Sequence, residues 1–144
     1  VIDGSDALTE AVFERLSAAL ATVSLVGNVT SVPVRDAVKE DTPKPYVVIG
    51  ETDVTDWGSK TGVGTEQTLT IEIWSEHRGR KQARQIAALI YASLHEQDFD
   101  VEGQQLVLCR FESADYGRDG DGLTYFGRLR YRCLLDALSD AESD

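Results

Sequence analysis

The sequence predicts an α+β domain: an antiparallel or mixed sheet of about four to five strands with two helices packed mainly on one face, in the order α-β-β-β-α-β-β. Three observations carry this expectation. Apolar residues recur at helical spacing in two separate segments, Leu8, Val12, Leu16, Leu20 and then Ile86, Ala87, Ile90, Leu94. Between them, Glu66–Glu76 alternates apolar and polar residues in the manner of a half-buried strand. Near the end, Gly117-Arg118-Asp119-Gly120-Asp121-Gly122 is a strong hairpin signal between two further strand-like runs.

The first helix is expected over Asp6–Val23. Ser5 and Asp6 can cap its start, while Glu10 and Glu14 suit the positive end of its dipole. Ala19 and Val23 flank its buried stripe, and Gly27-Asn28 is expected to stop it. Val32-Pro33-Val34 reads as a short extended piece. A break follows at Asp41-Thr42-Pro43-Lys44-Pro45, where two prolines impose extended backbone and remove donors. The β-branched run Tyr46-Val47-Val48-Ile49 opens a buried strand that continues, more polar, through Val54. Asp56–Gly64, rich in glycine and carrying Ser59 and Thr61, reads as a long loop.

In Glu66–Glu76, Leu69, Ile71 and Ile73 take one face and Thr68, Thr70, Glu72 and Trp74 the other. Arg78-Gly79-Arg80 ends this strand and opens a second helix over Lys81–Glu96. The closing strands are expected over Gln105–Ala114 and Leu123–Leu135. Residues 1–144 read as one domain, with 136–144 as an acidic, flexible tail.

Charge narrows the function classes. Lys plus Arg is 14 against 25 Asp plus Glu, a net charge of −11. That balance argues against non-specific binding to DNA, RNA or anionic membrane, each of which needs a positive footprint. No apolar run approaches the ~18 residues of a membrane-spanning helix. Two cysteines, Cys109 and Cys133, are too few for a disulfide scaffold, so a reducing compartment is the default expectation.

Chemistry-bearing patterns are weak. His77 and His95 stand at the two ends of the second helix, more than ~20 Å apart at ~1.5 Å per residue, and cannot share a metal ion. Cys109 and Cys133 fall on the apolar parity of adjacent strands and are expected to be packed core thiols. Asp119-Gly120-Asp121-Gly122 fails as a calcium loop, because the frame set by Gly122 puts Gly117 and Arg128 where carboxylates are required. Gly62-Val63-Gly64 lacks a following GK[ST] and joins two strands, so it is not a phosphate loop. No catalytic residue, metal site or cofactor is expected.

Two clusters stand out as candidate interface residues instead. Arg78, Arg80, Lys81 and Arg84 crowd the start of the second helix, where each cation opposes the dipole at a cost of about 0.3–1 kcal/mol. In an acidic chain this suggests an acidic partner surface, or compensating acids within the same subunit. On the last strand Arg128, Arg130 and Arg132 share one face, and Arg110 on the neighbouring strand matches their parity. Either this stripe is a subunit contact, since arginine is favoured at interfaces, or it pairs with Glu72, Glu76 and Glu112 on the same sheet. Trp57 and Lys60, in the glycine-rich loop, are further candidate contact residues.

Several segments in one order carry a resemblance: Val34-Arg35-Asp36-Ala37-Val38, Pro45-Tyr46-Val47-Val48-Ile49-Gly50, Asp56-Trp57, Thr70-Ile71-Glu72-Ile73-Trp74-Ser75, Gly79-Arg80, Arg110-Phe111-Glu112 and Arg118-Asp119-Gly120-Asp121-Gly122-Leu123-Thr124. Over Leu8–Leu135 the chain resembles the tail-completion, or tail-terminator, family of long-tailed bacteriophages and of gene transfer agents. The resemblance implies a structural protein without enzymatic activity. It would form a homo-hexameric ring that caps the tail tube, stops its polymerisation and joins the tail to the head. Its implied partners are its own copies, the tail-tube protein and a head-side neck or connector protein. DNA would pass through the ring only transiently, without specific binding, and no membrane is involved. The implied location is the tail or neck of a virion or virus-like particle, after assembly in the host cytoplasm. A head-side neck protein is the alternative within this class, and a small host enzyme or ligand-binding module the alternative outside it.

Overall fold

The computed structural model describes residues 5–38, 42–56, 64–76, 80–120 and 124–137. Its elements are α1 (Ser5–Leu20), β1 (Val34–Arg35), β2 (Tyr46–Asp56), β3 (Gly64–Ser75), α2 (Lys81–Leu94), β4 (Gln104–Arg118) and β5 (Tyr125–Ala137). The order is the expected one. The five strands form one mixed sheet in the spatial order β1-β2-β3-β5-β4, with β1 parallel to β2 and every other pair antiparallel. After β3, α2 carries the chain past one sheet position to the edge strand β4, and the hairpin brings β5 back to fill it.

Periodicity explains the layers. Leu8, Val12, Leu16 and Leu20 of α1 are fully buried, as are Ala83, Ile86, Ile90 and Leu94 of α2. Both stripes pack on one sheet face, against Val47 and Ile49, Leu69, Ile71 and Ile73, and Leu129, Tyr131, Cys133 and Leu135. Burying a side chain of this size stabilises the fold by roughly 1.5–3 kcal/mol. The Arg15 guanidinium donates to the Ser93 carbonyl, while the Gln82 amide donates to the Val26 carbonyl and Gln85 accepts from the Val26 amide. These contacts set α1 and α2 antiparallel.

Several boundaries differ from the sequence reading. Helix α1 stops at Leu20, whose carbonyl accepts from the Val32 amide at 2.9 Å. Gly27 (φ 83°) and Asn28 (φ 59°) form a left-handed turn that closes a Leu25–Val29 bridge, so they reverse the chain downstream of the helix rather than ending it. Residues expected to open the Asp56–Gly64 loop and begin the tail belong to strands: Asp56 pairs with Thr65, and Gln105 with Asp136. Residues 57–63 and 138–144 lie outside the described residues.

Strand β4 runs four residues past its expected end and carries register shifts at Leu106/Leu108 and Phe111/Ser113. The first shift turns Val107 outward, where it is 47% exposed, instead of into the core with Cys109. Cys109 and Cys133 are directly opposed, buried free thiols with sulfurs 3.4 Å apart, as the parity of their strands implied.

Candidate interaction surfaces

The sheet face away from the helices is charged because strand alternation leaves Glu66, Glu72, Arg128, Arg130 and Arg132 on it. Its arginines are not free. Arg132 donates to Glu66 at 3.0 Å, Arg128 lies 3.5 Å from Glu72, and Arg130 lies 3.6 Å from Asp53. The Arg132 guanidinium, by hydrogen bond and charge, holds the Glu66 carboxyl below its ordinary value. Of the acids expected as partners, Glu72 forms an ion pair with Arg128, and Glu112 acts on Arg132 through its charge without a close contact. Glu76 instead pairs with Lys44 at 3.3 Å, while Asp53 and Glu66 were not foreseen. Their pairing depends on β2 and β5 flanking β3, a long-range arrangement with no local sequence signal. Arg110 is exposed opposite Arg132 and has no ion pair among the described residues.

A second charged surface lies at the other face, where the first turn of α2 meets the hairpin end of the sheet. Arg80, just before α2, and Lys81 and Arg84 on it line a groove of about 720 Å³ together with Gln85, Ala88, Arg118 and Tyr125. None of these four cations has an ion pair with a carboxylate among the described residues. Arg84 is held in place by the Tyr116 ring, with its guanidinium carbon 5.3 Å from the centroid. Arg80 precedes α2 without a side-chain cap, and no acid occupies the first turn. The local field is therefore positive from both the side chains and the dipole.

The structure brings together Arg80, Lys81 and Arg84, as their helical spacing of three and four residues required. It adds Arg118 and Tyr125, which sequence reasoning assigned to a turn and a strand. Their signal was hidden because β4 runs four residues past its expected end and pairs Arg118 with Tyr125. Trp57, Lys60 and Arg78 lie outside the described residues, as does His77.

His95 follows α2, stacks on Tyr91 with ring centroids 4.4 Å apart, and accepts a hydrogen bond from the Phe111 amide at Nδ1. Together with the Glu96 amide, which donates to the Cys109 carbonyl, it covers part of the free edge of β4. Among the described residues no group of three or more His, Cys, Asp or Glu is placed to hold a metal ion.

Comparison with known proteins supplies context for these surfaces. The sequence model of the family described as Tail completion protein gp17 matches residues 10–136. Tail completion protein gp17 of Bacillus phage SPP1 is 29% identical over 132 residues, covering 92% of this chain and 94% of that protein. Among solved structures, a chain in the virion of a native gene transfer agent particle superimposes with a TM-score of 0.78 at 24% identity, covering 95% of this chain and 100% of that one. At that identity the likeness is one of fold.

Proposed function

Because this chain belongs to the Tail completion protein gp17 family, we propose that it forms a hexameric ring on the end of a tail tube, halts tube polymerisation and joins the tail to the neck of the head. Membership itself makes it a structural component of a phage-type tail, located in the virion or virus-like particle. The finer assignment, a ring that caps the tube, is our reading. On it, the genome passes through the central opening without a specific site, and no catalytic group is needed.

The observation that carries this reading is the basic groove, whose cations have no ion pair among the described residues, on a chain of net charge −11. A ring needs a directional contact between two different patches, closed by rotation. It also needs subunits that stay apart until the tube end is reached, which a large like charge favours. Arg80 and Lys81 serve as contact residues in this proposal, together with Trp57, Lys60 and Arg78. The arginine stripe contributes chiefly through Arg110, since its other members are engaged within the subunit.

The test is electron cryo-microscopy of tails assembled with and without the chain. The expected result is a six-fold ring of this protein on tubes of uniform length, and overgrown tubes when it is omitted. Uniform tubes in its absence, or the protein found only on the head side of the neck, would overturn the proposal in favour of a head-side neck protein.

A further inference from the structure

The basic groove has a counterpart of opposite sign on the same molecule. Glu10 and Glu14 on α1 and Asp100 and Glu102, in the segment between α2 and β4, line a shallow concavity of about 270 Å³. All four are exposed, and none has an ion pair among the described residues. A neighbouring concavity lined by Glu14 and Asp100 also reaches Ser93 and includes Arg15, whose guanidinium is engaged by the Ser93 carbonyl and the Phe99 ring, so the acidic surface sits beside the last turn of α2. The basic groove sits beside its first two turns, from Lys81 to Ala88. From the groove cations Lys81 and Arg84 to Ser93 the distance along the axis of α2 is about 14–18 Å at ~1.5 Å per residue.

That separation decides what can fill the groove. Both surfaces belong to one sheet-and-helix body, so the acidic face cannot fold back onto its own groove. A second copy can present it. We infer that the groove of Arg80, Lys81, Arg84 and Arg118 receives the acidic face of Glu10, Glu14, Asp100 and Glu102 from an adjacent copy of this chain. The contact is heterologous, with a positive end meeting a negative end, so each subunit still offers one free patch of each sign and addition continues until rotation closes a ring. Arg80, Arg84 and Arg118 can grip carboxylates bidentately, which fixes orientation as well as attraction. Double-stranded DNA is the competing anion, but a chain of net charge −11 repels it at long range.

This inference rests on the ring reading and names the surfaces that would meet in it. The experiment is a charge swap on the full chain, with association followed by sedimentation velocity up to millimolar protein in low salt. Arg80→Glu with Arg118→Glu should weaken association at least tenfold, and so should Glu10→Lys with Glu14→Lys. Mixing the two variants should restore it to within about threefold, because a reversed groove then meets a reversed face. Glu10→Gln with Glu14→Gln, which leaves the helix surface nearly isosteric, should weaken it in the same direction. The inference is overturned if the wild-type chain fails to associate, if either reversed variant associates as wild type does, or if the mixture is no stronger than its components. Tighter binding of the groove to a duplex oligonucleotide than to a second copy would overturn it as well. If rings cap tubes normally in every variant, the contact is wrong and the ring reading stands. If tubes are never capped while the swap behaves as expected, the ring reading is wrong and the contact stands.

Discussion

Tyr116 on β4 pairs directly with Gly127 on β5, and a Cβ added to Gly127 would stand 3.0 Å from the tyrosine ring. The next pair mirrors it: Gly117 pairs with Phe126, whose ring would lie 2.8 Å from an added Cβ. Each glycine makes room for an aromatic ring laid over it, one on each face of the hairpin. The Tyr116 ring carries Arg84, so a missing side chain on β5 positions a cation on α2.

Gly127→Ala tests that chain of dependence. The new methyl group forces the Tyr116 ring to shift by a few tenths of an ångström, and Ile73 at 3.7 Å limits the direction of escape. Overpacking of this kind costs about 1–3 kcal/mol. Urea denaturation should show a loss in that range, with Arg84 loosened from the groove. Stability equal to wild type would mean that the ring is free to move and does not anchor Arg84.

Tyr131 supplies a second prediction. Its side chain is fully buried, edge-on to Phe111 with ring centroids 5.7 Å apart, and its hydroxyl has no hydrogen-bond partner among the described residues. A buried polar group left unpaired costs about 1–3 kcal/mol. Tyr131→Phe removes the oxygen and keeps the ring, so its melting temperature should equal or exceed that of wild type. Burial also pushes the Tyr131 phenol well above its ordinary value, so ultraviolet titration should show it ionising only with unfolding. A clear drop in melting temperature on Tyr131→Phe would reveal a partner for the hydroxyl.

The fold was legible where periodicity is local. Leu8, Val12, Leu16 and Leu20 mark a helix face without reference to anything distant, and Leu69, Ile71 and Ile73 mark a strand face in the same way. What could not be read depends on long-range pairing. The insertion of β5 between β3 and β4 puts Arg128 beside Glu72 and Arg132 beside Glu66, 56 and 66 residues apart in sequence. The bulge that exposes Val107 is likewise a property of two strands together. At the groove, the helical half was visible in the spacing of Arg80, Lys81 and Arg84. Arg118 joined it only once the length of β4 was known.

The Arg132–Glu66 pair makes stability depend on pH in a defined window. Glu66 is held below its ordinary value of 4.5 by the hydrogen bond from Arg132. A carboxyl with a lowered folded-state value stabilises fully above its unfolded value, and the contribution is lost as pH falls through the folded value. The melting-temperature difference between wild type and Glu66→Gln should therefore be constant above about pH 5.5 and shrink as pH falls toward 3. A difference that persists unchanged at pH 3 would show that the pair contributes through packing rather than charge. High salt should reduce it as well, because both side chains face solvent.

The opposed thiols should be chemically silent in the folded protein. Hydrogen bonding to Cys109 and burial together push the Cys133 thiol far above its ordinary value, and only the thiolate reacts at a useful rate. Both cysteines should resist Ellman's reagent at pH 8 and react together on unfolding in urea. Rapid labelling of the native chain would mean that the β4–β5 ladder opens locally at the Cys109–Cys133 pair.

Arg130→Glu separates the two charged surfaces. Arg130 sits on the sheet face away from the helices, 3.6 Å from Asp53, and its strand neighbours Arg128 and Arg132 are tied to Glu72 and Glu66. Reversing its charge loses the Asp53 pair, a partly exposed contact worth about 1 kcal/mol or less, and places like charge beside Asp53. A small fall in melting temperature is the expected cost. Because the groove draws its cations from α2 and the hairpin end, association between copies should survive Arg130→Glu and fail with Arg80→Glu and Arg118→Glu. Sedimentation velocity on the two variants side by side reads this directly. A folded Arg130→Glu chain that no longer associates would make the arginine stripe the subunit contact, with the ion pairs on its face exchanged for partner carboxylates as the copies meet.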